Sequence, residues 1–302
     1  MTGRGPSPSE FLSGTRGGTG RLPERAARRL ADRLLDLALL RSARRLDALA
    51  AAAPERDVLV LSIYRGDGGL LPRAVEELAA TRHRVRFALG SMGTAAPALA
   101  ARTAATGLTG GKFENLNELL RTGRGSGPAG GSQGSGPAGG SQGSGPSGDW
   151  VLVVDDDVAL PRRFLDRVVG IAEHHGLALA QPAQSLASHA AWPVTRRRRG
   201  ALVRESRFVE IGPVTLFRAD VLAELTPFPA LRYGWGLDLH WAAVAQQRGW
   251  RLAIVDALPV RHEASHVAAT YSTEAAIEEA RAFLADRPFL DSRSALETRT
   301  LR

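Results

Sequence analysis

The stretch that most constrains the fold is Trp150-Val151-Leu152-Val153-Val154, followed at once by Asp155-Asp156-Asp157 and closed by Pro161. A short, β-branched apolar run bounded by a turn signal forms a strand covered on both faces, the kind found in parallel sheets. Three carboxylates at the carboxyl end of such a strand stand where open α/β sheets bind ligands. They have no basic neighbour before Arg162, and crowded carboxylates favour a bound cation. A solvated acidic turn, with Asp156 or Asp157 capping the next helix, is the competing interpretation.

Around that strand the elements alternate. Asp57 to Tyr64 reads as a first strand ending in Arg65-Gly66-Asp67-Gly68-Gly69, with a helix over 71–81 and a second strand over 84–89. This spacing is a βαβ unit with a right-handed crossover. A weak helix is expected over 97–106 and a firmer one over 113–120. After the acidic triplet come a helix over 162–174, a strand over 177–181, a loop over 182–200, and strand-like sequence over 207–217 broken at Gly212-Pro213. A short helix over 219–225, a glycine-rich turn feeding a helix that ends near Gly249, and a last strand over 251–255 leading through Pro259 to His262 complete the pattern. The expected class is α/β: a mixed, mostly parallel sheet flanked by helices, in one catalytic domain over 57–270. Residues 1–20 are expected to be disordered, 21–56 to form an N-terminal helical extension, and 271–302 a C-terminal helix and tail.

Between 123 and 148 the unit Gly-Ser-Gly-Pro-Ala-Gly-Gly-Ser-Gln occurs at 125–133, again at 134–142, and begins once more at 143. With no apolar residue beyond alanine it cannot stack as a solenoid, and it reads as an expanded flexible loop inside one domain. The chain has no cysteine, which excludes disulfides and thiolate metal sites and fits a cytoplasmic location. No apolar run approaches the length needed to span a bilayer. The formal charge is +8, carried almost wholly by arginine, with Lys112 the sole lysine. The dense cluster Arg196-Arg197-Arg198-Arg199, with Arg204 and Arg207, has no interleaved aromatics, so it reads as a solvated loop first and a phosphate-facing one second; nucleic acid is not an expected partner. The N-terminal helix carries Leu30, Leu34 and Leu37 on one stripe with Leu35, Leu39 and Leu46 beside it. It is expected to pack on the catalytic domain; Asp32, Asp36 and Asp47 weigh against an anionic membrane, though peripheral membrane contact stays open.

Gly110-Gly111-Lys112-Phe113-Glu114-Asn115-Leu116-Asn117, followed by a buried strand ending in Asp155-Asp156-Asp157, resembles the inverting GT-A (Rossmann-like) glycosyltransferases of family 2. The Lys-x-x-Asn-Leu-Asn segment is similar to the cellulose-synthase branch, here without transmembrane helices. In such enzymes only a few residues separate the lysine-bearing helix from the acidic strand, so the repeat sits as an insertion. The likeness covers roughly Asp57 to His266. It implies transfer of a sugar from a UDP-, GDP- or dTDP-linked donor to a hydroxyl acceptor of unknown identity, with Mn²⁺ or Mg²⁺.

By that resemblance Asp157 binds the metal, Asp155 holds the nucleotide ribose or the metal, and Asp156 is ambiguous between these roles. Asp238, in Gly234-Trp235-Gly236-Leu237-Asp238, stands where the family keeps its catalytic base. Leu237 occupies a position often acidic in the family, so the match is partial, and Asp238 as a helix cap is the bland alternative. His262 matches a third metal ligand, with His266 and His240 as rivals. Lys112 should reach the diphosphate, Tyr64 and Arg65 should flank the base, and Asn117 should fix that pocket or serve structure only. Glu210, Gly212 and Trp235 should line the sugar or acceptor side, with core packing an equal prospect for Trp235. Two other functions remain open. A nucleotidyltransferase of similar fold would carry a more basic glycine-rich loop than Arg65 to Gly69, and a non-catalytic polyanion-binding protein would use the arginine clusters.

Overall fold

The computed structural model describes residues 22–122, 148–188, 190–262 and 272–301. Residues 1–20, expected to be disordered, the Gly/Ser/Pro repeat and His266 lie outside the described residues.

Among the described residues ten strands form: β1 (Asp57–Tyr64), β2 (Arg84–Ser91), β3 (Thr103–Ala105), β4 (Trp150–Val154), β5 (Val158–Ala159), β6 (Leu179–Gln184), β7 (Val203–Ser206), β8 (Val214–Arg218), β9 (Leu252–His262) and β10 (Thr298–Leu301). Nine lie in the order β10-β7-β9-β6-β8-β4-β1-β2-β3, while β5 pairs with the end of β9. Within these nine only β8 and β7 run against the rest, since β4–β8, β6–β8, β7–β9 and β7–β10 are antiparallel pairs and the others parallel; the separate β5–β9 pair is antiparallel. The mixed, mostly parallel α/β sheet expected from sequence is therefore present.

Among the described residues nine α-helices flank it: α1 (Leu22–Leu39), α2 (Ala43–Ala52), α3 (Leu71–Ala79), α4 (Lys112–Thr122), α5 (Phe164–His175), α6 (Ala219–Leu225), α7 (Leu237–Arg248), α8 (Thr273–Leu284) and α9 (Ser292–Ala295). Strand β4 is buried along its whole length, as its apolar run requires. One core layer gathers α4, α7 and α8 around Phe113, Trp241 and Phe283, and the other gathers α3 and α5 around Leu71, Phe164 and Val168. Gly170 on α5 lets α2 approach, because a Cβ there would lie 2.8 Å from the Ala50 backbone.

Four sequence expectations are corrected. The single helix over 21–56 is two helices joined by a 3₁₀ turn at Leu40–Ser42. The leucine stripe does not face the domain: Leu30, Leu34 and Leu37 are 59, 59 and 61% exposed. Instead α1 docks through Asp32, which accepts the backbone N–H groups of Leu186 and Ala187 at 2.9 Å. The arginine cluster is not wholly solvated. Arg197 is buried against Asp32 and Asp36, and Arg204 forms a buried two-pronged pair with Asp256 at 2.7 and 3.0 Å. Finally, the polar tail supplies α9 and edge strand β10, which pairs with β7. Thr298-Arg299-Thr300-Leu301 has little alternation, so its strand state comes from the partner.

Candidate functional site

Strands β4 and β8 run antiparallel with Val154 opposite Val214. This register brings residues 210–213 beside the acidic triplet, and the Asp155 N–H donates to Pro213 O at 2.8 Å. The short strand β5 then pairs Val158 with His262. That pairing, rather than proximity in sequence, sets the histidine against the aspartates. One ligand atom each from Asp155, Asp157 and His262 lie within 4.8 Å of one another. Nε2 of His262 is 3.0 Å from Asp157 Oδ1. Yet that oxygen is buried and makes no hydrogen bond, so the close approach is not a well-aimed one. An orphaned carboxylate oxygen facing an imidazole nitrogen and a second carboxylate is a donor set that fits a divalent cation. His262 itself is steadied from outside the triad by Ser188, whose Oγ accepts the His262 N–H at 2.9 Å.

Lys112, at the first position of α4, reaches the same corner. Its Nζ lies 2.7 Å from Asp155 Oδ1 and donates to the carbonyls of Ile211 and Gly212 at 3.2 and 3.1 Å. Burial raises the pKa of Asp155 despite this ammonium. Asp156 turns the other way: its Oδ2 accepts the Arg65 N–H at 3.1 Å, and burial is the main cause that pushes its pKa up to about 6. For His262, burial works against the charge, but Asp157, Asp155 and Glu210 outweigh it and the net shift is upward.

A second acidic pair lies beyond the triad. Glu210 is buried, with Thr195 Oγ1 donating to its Oε2 at 3.2 Å and its own N–H donating to Gln181 Oε1 at 2.8 Å. Burial raises its pKa, opposed by Thr195, His262, Gln181 and Lys112. Asp238 sits in the first turn of α7 behind Gly234 and Gly236, both at positive φ, and a Cβ at Gly234 would fall 2.6 Å from the Phe113 ring. The carboxylate of Glu279 on α8 accepts the N–H groups of Arg232, Tyr233 and Gly234 and so holds that turn. The N-cap is Gly236, so Asp238 lies inside the first turn rather than at the cap, and its Oδ1 accepts the adjacent Leu239 N–H. Burial first and Glu210 second raise its pKa to about 7.

The remaining expected residues are placed variously. Arg65 is exposed at the end of β1, where its Nε contacts Met92 Sδ at 3.0 Å. Tyr64 is fully buried, its hydroxyl bonded to Thr103 and to the Ala96 N–H, so its ring has no open face for a nucleotide base. The strand's alternation turns it inward. Asn117 spends its amide on both backbone groups of Phe228 at 2.8 Å, the structural role. Gly212 contributes its carbonyl, and Trp235 is half-buried against the core. His240 is bonded to Pro288 O, and the grouped metal donors do not include it. Glu279, Ser188, Gln181 and Thr195 were not singled out from sequence; each supports a site residue from a distant segment, and no local pattern marks them.

No family model matches the chain. No curated protein matches either. Among solved structures, residues 1–349 of S. aureus TarS in complex with UDP-GlcNAc are similar over 74% of this chain, at 10% identity and TM-score 0.46. A second structure of S. aureus TarS 1–349 is similar over 70% of this chain, at 9% identity and TM-score 0.37. The chain spans 64 and 59% of those two chains. Among the described residues no helix is long and apolar enough to cross a membrane.

Proposed function

We propose that this chain transfers a sugar from a nucleotide-diphospho-sugar to a hydroxyl acceptor. Within that class it is read as an inverting, metal-dependent enzyme of the GT-A, family 2 kind that the sequence resembles. The observation carrying this reading is the convergence of Asp155, Asp157 and His262 donors within 4.8 Å beside the sole lysine.

Asp155, Asp157 and His262 would hold the ion, and two carboxylates with an imidazole suit Mn²⁺ at least as well as Mg²⁺. When bound, such an ion neutralises charge gathering on a departing diphosphate. Lys112 adds an ammonium for the same oxygens, exchanging its bond to Asp155 for one to the diphosphate. Glu210, Gly212 and Trp235 would border the sugar, and Arg65 the nucleotide. Asp238 would accept the acceptor's hydroxyl proton as the oxygen attacks the anomeric carbon from the face opposite the diphosphate. A carboxylate with a pKa of about 7 is part ionised at neutral pH and basic enough for that step. The burial of Arg197 and Arg204 in ion pairs leaves less of the arginine cluster for polyanion binding.

The test is a thermal-shift and turnover panel of UDP-, GDP- and dTDP-sugars with and without Mn²⁺. A native-state ligand at about a hundred times its Kd adds about 2.7 kcal/mol, a readable rise in Tm. The proposal expects one nucleotide series to raise Tm with Mn²⁺ and to lose that effect in Asp157→Ala. No response to any sugar nucleotide, or the same response in the variant, overturns it.

A further inference from the structure

Helix α1 presents an apolar ridge outward and turns Asp32 inward, while Asp36, 61% exposed, is paired with Arg197. Leu30, Leu34 and Leu37 on α1 and Leu40 at the start of the 3₁₀ turn that follows are 59 to 67% exposed, the four most exposed large apolar side chains among the described residues. At 1.5 Å per residue the ridge is about 15 Å long. Arg29, Arg33, Arg41 and Arg44 are exposed beside it and have no hydrogen bond or ion pair among the described residues. The three aspartates that weigh against an anionic surface are matched elsewhere in the fold. Asp32 and Asp36 meet Arg197 at 3.6 and 2.7 Å, and Asp47 meets Arg163 and Arg167 at 2.9 and 2.8 Å. The helix is also anchored, because Asp32 grips the Leu186 and Ala187 amides and Leu35 and Leu39 turn toward the domain.

We propose that α1 and the turn after it form a peripheral membrane-docking element that lays Leu30, Leu34, Leu37 and Leu40 into the interface of an anionic bilayer, with the flanking arginines on the headgroup phosphates. A convex leucine ridge bordered by unpaired arginines complements a flat, negatively charged, half-apolar surface. The chain's charge of +8 adds a long-range attraction of the same sign. This is independent of the glycosyl-transfer proposal, though it sets a lipid surface near the site. The backbone that Asp32 holds, at Leu186 and Ala187, runs directly into Ser188, whose hydroxyl accepts the His262 N–H.

The test is co-flotation of the full chain with phosphatidylcholine vesicles, with and without about 30 mol% phosphatidylglycerol. Binding should require the anionic lipid and weaken as salt rises. Leu34→Gln/Leu37→Gln should lower the partition coefficient at least about tenfold, and Arg29→Glu/Arg33→Glu should remove the preference for anionic lipid. Because these side chains are exposed, both variants should keep the parent Tm. Three results overturn the proposal: no flotation with either vesicle; parent-like flotation of Leu34→Gln/Leu37→Gln; or a parent dimer, lost in that variant, without vesicle binding. Flotation that appears only after removal of residues 1–20 also overturns it, since that segment would then cover the ridge.

Discussion

Asp238→Asn should make the protein more stable at alkaline pH while abolishing its activity. Asp238 is 5% exposed, and burial followed by the charge of Glu210 lifts its pKa from 3.8 to about 7. An acid with a folded pKa above its unfolded one binds its proton more tightly in the native state. Its ionisation therefore costs the fold nothing below about pH 4, increasingly more between about pH 4 and 7, and a constant amount above that. About three pKa units at 1.36 kcal/mol each set the ceiling near 4 kcal/mol. Asparagine keeps an oxygen for the Leu239 N–H but cannot ionise. Glu210, freed of its neighbour's charge, ionises more readily, so part of the gain belongs to the pair rather than to Asp238 alone. Urea unfolding should then find Asp238→Asn within about 1 kcal/mol of the parent at pH 4 and about 2–4 kcal/mol more stable at pH 8. A variant no more stable than the parent at pH 8 refutes the buried-charge assignment. Sugar transfer measured alongside should vanish with donor affinity retained; surviving transfer refutes the base assignment. A residue that costs stability and supplies chemistry is the signature of a functional position.

Two further perturbations follow from the same geometry. Glu210→Gln removes the charge that helps raise Asp238, so the alkaline-rising limb of the pH–rate profile should move to lower pH. An unmoved limb shows that the two carboxyls do not interact. Asp256→Ala leaves Arg204 buried without its carboxylate and should cost about 3–5 kcal/mol in chemical denaturation. A loss below about 1 kcal/mol shows that water reaches the guanidinium.

Local chemistry made much of this protein legible in one dimension. The apolar run of β4, the βαβ rhythm of residues 57–91 and the glycine turn before α7 each follow from backbone preference and side-chain period, which neighbours in sequence carry. The acidic triplet could be named as a candidate from residue type and position, whereas Lys112, Asp238 and His262 could be named through the resemblance of the surrounding motifs to a known family. What stayed hidden depends on segments that meet only in space. Tyr64 ends a strand pointing at the site, but its ring turns into the core. Arg197 and Arg204 look solvated until Asp36 and Asp256 arrive from 161 and 52 residues away. The leucines of α1 have a helical period that promises burial without saying which face turns inward. The inward face was decided by Asp32 and Arg197, because satisfying buried amides and a buried guanidinium outweighs covering three leucines that water can tolerate. Periodicity thus determined the elements, while long-range pairing of charges and amides determined which side chains they keep and which they offer.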